Sequence, residues 1–129
     1  RNRQIFTVVP SGGRDSFTRF KRLEYLAPLS LVNLHPETGR THQLRVHMKS
    51  INHPIFGDEA YGGGTQYAKS FHVKYTKLIH QLIKTIPRVS LHARMLEINH
   101  PVTGKKMSFT SPIPTDFNNA TEILKHAQS

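Results

Sequence analysis

Cysteine is absent from the 129 residues. That removes disulfides, thiolate catalysis and cysteine-ligated zinc together, and it fits a reducing compartment, with the cytoplasm the expected location. Long apolar runs are missing too. Nothing approaches the roughly 18 residues that a membrane-spanning helix needs, and Arg1-Asn2-Arg3-Gln4 leads into no signal-peptide core, so a membrane is not expected as a partner. Carboxylates number only eight, and no two are spaced like an acid/base pair. Gly62-Gly63-Gly64 lacks the Gly-Lys-Ser/Thr ending of a nucleotide-binding loop, no Gly-x-Gly-x-x-Gly follows a strand, and serine-hydrolase motifs are absent. The glycine triplet is expected to be a mobile loop.

What the chain does have is positive charge. Eighteen Lys and Arg stand against eight Asp and Glu, a formal charge of +10. The excess is uneven: residues 1–49 carry nine basic and three acidic groups, while residues 96–129 carry three of each. Such a bias makes a polyanion the first partner to consider, because neutralised phosphates release counterions. Nine histidines invite a metal reading. They are scattered, however, and His42 and His47 stand at i,i+5 rather than the i,i+4 spacing of the zinc-protease helix, whose Glu is also lacking. No metal site is expected; most of the histidines are expected on the surface or facing nucleic acid.

The pattern of apolar residues gives one α+β unit, a mixed or antiparallel sheet with flanking helices, over residues 1–129. Residues 4–10 and Phe17 to Leu26 read as strands, divided by a turn at Ser11-Gly12-Gly13. Ala27-Pro28 precedes a third strand, Leu29 to Leu34, whose nearly continuous apolar character predicts a central position. From Thr41 the period changes: Leu44, Met48 and Ile51 share one helical face, with Thr41 as N-cap and Asn52 and Pro54 closing the helix. A second helix over residues 73–85 buries Tyr75, Ile79, Leu82 and Ile86, and turns Lys74, Lys77 and Lys84 outward. Leu91 to Asn99 and Lys105 to Thr110 form a hairpin about Pro101-Val102-Thr103-Gly104. Phe117, Ala120, Leu124 and Ala127 space a last helix, capped by Asp116 or Asn118.

Polar chemistry is densest in residues 36–62. Arg45 lies beside the Leu44/Met48 face, so it is inward or edge-facing, and such an arginine is costly unless it meets a carboxylate or phosphate. Its planar, always charged fork suits it to orienting an anionic group. Arg40, in the loop before the helix, can reach a phosphate. From the residues alone, this is a nucleic-acid-binding domain whose partly buried arginine seeks an anion.

The run Gly39-Arg40-Thr41-His42-Gln43-Leu44-Arg45-Val46-His47 resembles the signature of the RluA-type pseudouridine synthases. The likeness continues through His53-Pro54-Ile55, Gly57-Asp58 and Tyr61-Gly62, resumes at Leu91-His92-Ala93 and His100-Pro101-Val102-Thr103-Gly104, and closes at Pro112, Pro114 and Asp116-Phe117. It implies an enzyme that isomerises uridine to pseudouridine in structured RNA, ribosomal rather than transfer RNA, with no cofactor and no metal. The family flips the target base into a cleft, where an aspartate attacks the nucleoside and the glycosidic bond re-forms to carbon. By this resemblance Arg45 pairs with that aspartate. Gly39, Thr41, His42, Gln43, Leu91, His92 and Ala93 support the active site, with Leu91, His92 and Ala93 on a strand along the cleft. Arg40, His47, Lys74, Lys77 and Lys84 face the RNA.

One departure is large. The family's aspartate sits in an Arg-Leu-Asp motif, which this sequence lacks; its aspartates are Asp15, Asp58 and Asp116. The tyrosine segment of the family is missing as well. The resemblance therefore implies the C-terminal portion of a catalytic domain, inactive by itself, whose nucleophile lies upstream of Arg1. Such a portion should expose a sheet edge and self-associate. The alternative is a non-catalytic RNA-binding module that keeps this half of the fold.

Overall fold

The structure, a computed structural model, describes residues 3–8, 16–36 and 42–128. Three strands, β1 (Arg3–Val8), β2 (Ser16–Leu26) and β3 (Leu29–Pro36), form an antiparallel meander in the order β1-β2-β3. The central strand is β2. The expectation that the apolar third strand would be central is not met: among the described residues β3 pairs only with β2. Its apolar side chains are half-buried: Leu29 packs on the core, and Leu31, Val32 and Leu34 line an open trough.

Along β2, Thr18 and Leu26 are closed off from solvent, while Phe17, Leu23 and Tyr25 are exposed. The register shifts between Arg22 and Glu24, which leaves Leu23 without a residue opposite it on β3.

Helix α1 (Gln43–Ser50) follows the undescribed stretch 37–41, which contains Gly39, Arg40 and Thr41. Its N-cap is His42 in the left-handed conformation (φ 53°), not Thr41, and His42 makes no side-chain capping bond. Histidine is among the few non-glycine residues enriched there. At the other end Asn52 (φ 63°) and Pro54 stop the helix as the sequence predicts.

A single 3-10 turn (Glu59–Tyr61) and a one-turn helix, α2 (Thr65–Ala68), come next. Between them the glycine triplet is no loose loop. The Gly57 N–H donates to the Gly63 carbonyl at 2.8 Å and the Gly63 N–H to the Asp58 carbonyl at 2.7 Å. A Cβ on Gly63 would collide with the Ile55 carbonyl oxygen, and one on Gly57, itself at φ 82°, with that of Arg88. Glycine is required here for close backbone approach.

Helix α3 (Thr76–Thr85) is entered through a 3-10 turn at Val73–Tyr75 and packs against α4 (Thr115–Ala127). Their facing stripes, Ile79, Leu82, Ile86, Ala120 and Leu124, close on Leu26 of β2 to form the core. Burying each of the Leu and Ile side chains stabilises by about 1.5–3 kcal/mol. The cap of helix α4 falls two residues before the nearer expected one: Pro114 is the N-cap, and Asp116 lies in the first turn, where a carboxylate opposes the helix dipole favourably.

The hairpin of β4 (Met95–Asn99) and β5 (Lys106–Thr110) forms as expected about Gly104 (φ 72°), but its first strand is shorter. Leu91, His92 and Ala93 are not in a strand. The segment that leads into them is held by other partners: the Ser90 N–H bonds the Phe56 carbonyl, and Arg88 Nη1 donates to the carbonyls of Val89 and Leu91.

Candidate functional site

Helix α1 crosses β2, and the crossing is fastened by polar groups. Gln43 Nε2 donates to the Phe17 carbonyl at 2.8 Å and to Thr18 Oγ1 at 3.0 Å. A carbonyl only accepts, which fixes the orientation of the amide. His47, one turn on, bonds the same Thr18 Oγ1 through Nδ1. Gln43, Thr18 and His47 are all buried, and burial pushes the His47 imidazole below its ordinary pKa. His47 is thus not an RNA-facing residue: its ring, 1% exposed, points into the α1–β2 contact. Its place in the helix explains this, since it shares the inward side with Gln43 and Met48.

With that side facing inward, Arg45 falls at the rim. Its Nε and Nη2 donate to Asp58 Oδ2 and Oδ1 at 2.9 and 2.8 Å, a side-on, two-bond pair. The Arg45 side chain is 21% exposed, whereas that of Asp58 is fully buried. Asp58 Oδ1 also accepts the Tyr61 N–H, capping the 3-10 turn. Hydrogen bonding to Arg45 holds the Asp58 carboxyl below, and hydrogen bonding to Asp58 the Arg45 guanidinium above, their ordinary pKa values.

The anion expected for Arg45 lay outside the chain; the one it meets is Asp58. The reason is the reversal at Pro54 to Gly57, which lays the next 3-10 turn back against α1. The sequence held a signal for this. A rim arginine needs a carboxylate, only eight exist, and Asp58 follows the glycine that ends the reversal.

Tyr61, unremarked as a site residue in the sequence, completes the cluster. The Arg45 guanidinium carbon lies 4.8 Å from the centre of its ring. Its hydroxyl bonds His42 Nδ1 at 2.9 Å, and the two rings meet edge to face. The left-handed cap thus brings His42 to the cluster.

The other predicted residues are dispersed. Leu91, His92 and Ala93 line an open trough of about 1430 Å³ together with Leu44 and Met48. Lys77 and Lys84 are exposed on α3, and Lys74 is exposed on the 3-10 turn that leads into it. Gly39, Arg40 and Thr41 lie outside the described residues. Arg88, to which the sequence assigned nothing, forms a two-bond pair with Asp116 at 2.9 Å and anchors the segment before Leu91 to α4. Among the described residues no group of three or more His, Asp or Glu could hold a metal ion. No helix among them is long and apolar enough to cross a membrane.

A fold of this kind has a solved counterpart. The human protein "RNA Pseudouridylate Synthase Domain Containing 4" superposes with a TM-score of 0.69 at 24% identity, over 96% of this chain and 57% of that one. The architecture is that of a pseudouridylate synthase domain.

Sequence carries the assignment further. The family described as RNA pseudouridylate synthase matches residues 1–50. The "Ribosomal large subunit pseudouridine synthase D" of Vibrio vulnificus is 38% identical over 95% of this chain and 36% of its own length. That of Pasteurella multocida is 39% identical over 88% of this chain and 34% of its own. An "Uncharacterized RNA pseudouridine synthase" of Chlorobaculum parvum is 34% identical over 97% of this chain and 39% of its own. The chain belongs to the RluA-type pseudouridine synthase family. It spans somewhat over a third of the length of these curated relatives.

Proposed function

We propose that the protein carrying this chain isomerises uridine to pseudouridine in ribosomal RNA, and that the chain contributes the arginine side of the active site. The likeness to ribosomal large subunit pseudouridine synthases over 95% of the chain carries the reading. The chemistry detaches the flipped uracil from its sugar with the help of a carboxylate nucleophile, then rejoins the sugar to carbon 5, which gives up its proton.

The nucleophile comes from outside these 129 residues. Asp58 is fully buried and occupied by Arg45, and Asp116 is taken up by Arg88. Neither is presented to a sugar. Asp15 lies outside the described residues, in a sequence context unlike the family's Arg-Leu-Asp. Arg45 keeps its Nη1 edge for the incoming carboxylate, since Nε and Nη2 are the atoms that bind Asp58.

Ribosomal RNA labelled with tritium at uridine C5 tests this, because carbon–carbon bond formation releases the label. The polypeptide extended upstream to the length of the curated relatives should release tritium, and the 129 residues alone should not. Release by the 129 residues would overturn the external nucleophile. RNA binding without release by the longer protein would overturn the enzyme and leave a binding module.

A further inference from the structure

Arg45 is gripped from two directions, and the grip determines which part of it is left to act. Asp58 takes the Nε/Nη2 edge of the guanidinium. Tyr61 lies against its face, with the guanidinium carbon 4.8 Å from the ring centre. Tyr61 is itself held at both ends, by its N–H to Asp58 Oδ1 and by its hydroxyl to His42 Nδ1. A side-on carboxylate fixes the guanidinium in its own plane, and a ring on the face fixes its tilt. Among the described residues Nη1 makes no hydrogen bond, although the side chain is 21% exposed.

We propose that Asp58 and Tyr61 are positioning residues: they clamp Arg45 so that its Nη1 edge presents donors to the nucleophilic carboxylate in one orientation. This rests on the function proposed above. The clamp also sets the charge that the nucleophile meets. Arg45 arrives already paired with a buried carboxylate, so it orients a second one without the full field of a lone cation. An unpaired arginine would stabilise the attacking anion more strongly and blunt it, because a stabilised anion is a weaker nucleophile. Neither positioning residue need touch RNA. Their loss should therefore appear in turnover, with RNA affinity held.

Asp58→Asn, Tyr61→Leu and Tyr61→Phe, made in the polypeptide extended to the length of its relatives, test the clamp. Two readouts are taken: the Arg45 Nε–H nitrogen-15 resonance, and kcat and KM in the tritium assay. In the parent protein and in Tyr61→Phe, which keeps the ring face, the Nε–H signal should be sharp and slow to exchange. In Asp58→Asn and Tyr61→Leu it should broaden or exchange rapidly, with kcat down about 100-fold, the scale of an ångström-sized misplacement, and KM unchanged. Tyr61→Phe should retain most of the turnover lost in Tyr61→Leu. If Asp58→Asn does not fold, the two Tyr61 variants decide, since Tyr61 is only half-buried. An Arg45 signal indifferent to both substitutions, or a loss carried by KM, would overturn the proposal. A parent protein that shows the protected signal but releases no tritium would refute the enzymatic reading and leave the clamp standing as geometry.

Discussion

His47 Nδ1 and Thr18 Oγ1 share a hydrogen bond where α1 crosses β2, and neither side chain reaches solvent. Gln43 donates to the same hydroxyl, so one threonine fixes two turns of the helix that carries Arg45. Replacing it with valine keeps the shape and leaves two buried polar groups facing a methyl. Thr18→Val should cost about 1–3 kcal/mol, the penalty for an unsatisfied buried donor or acceptor. Urea denaturation measures this, and an unchanged midpoint would show that the contact contributes nothing.

The same histidine makes stability depend on pH. Its folded pKa lies below the ordinary value because burial disfavours the cation. The unfolded chain then binds more protons than the folded one, and stability rises with pH. The contribution is complete above an unfolded histidine value of about 6.5 and is lost as pH falls through the lowered folded value. Asp58, lowered chiefly by its bond to Arg45, has the same sign further down. Its contribution is complete above about 3.9 and is lost as pH drops through its own folded value. Urea midpoints should therefore fall in two steps on acidification. His47→Gln should remove the upper step and keep the lower; an identical profile between pH 7 and 5 would contradict the assignment.

That histidine also marks where sequence reasoning stopped. The periodic elements were legible: β2, the faces of α1 and α3, the hairpin turn and the closing residues Asn52 and Pro54 all follow from spacing and turn chemistry. So did the rim position of Arg45 and its need for an anion. His47 was not legible as a buried residue, because three residues from Leu44 it is equally a core position and an edge, and its partner Thr18 is 29 residues away in sequence. The role of β3 was misread for a similar reason. A continuous apolar strand predicts burial on both faces, but the apolar residues of β3 are only half-buried and most of them line an open trough. Leu91 to Ala93 alternates like a strand, yet the side chain of Arg88 takes up two of the nearby carbonyls. Contacts between segments distant in sequence decided each of these cases.

The lysines of α3 give a prediction that separates surface from interior. Lys77 and Lys84 are exposed on the side of α3 opposite Ile79 and Leu82, and Lys74 is exposed on the 3-10 turn that leads into the helix. If this face tracks the RNA backbone, each Lys→Ala should reduce the slope of log K against log salt by about 1 and weaken different RNAs alike. His47→Gln should leave the slope untouched, because a buried ring neutralises no phosphate. Binding titrations between 50 and 200 mM salt make the comparison; an unchanged slope in the triple lysine variant would remove α3 from the RNA surface.

The hairpin raises a different question, because one of its faces is apolar and open. Leu96 stands opposite Phe109 and Ile98 opposite Met107, and Leu96, Ile98 and Phe109 are 58%, 43% and 49% exposed. A two-stranded ribbon is at best marginally stable alone in water. Apolar patches and unpaired strand edges favour association. The 129 residues by themselves should therefore self-associate and bind a hydrophobic dye. Leu96→Lys combined with Phe109→Lys should lower dye binding and shift the mass measured by light scattering toward the monomer. The polypeptide extended to the length of its relatives should lose the dye signal without substitution, provided its added chain covers this face. A monodisperse monomer of 129 residues with little dye binding would mean that the hairpin is stable with its apolar face in water, and the case for a covering segment would fall with it.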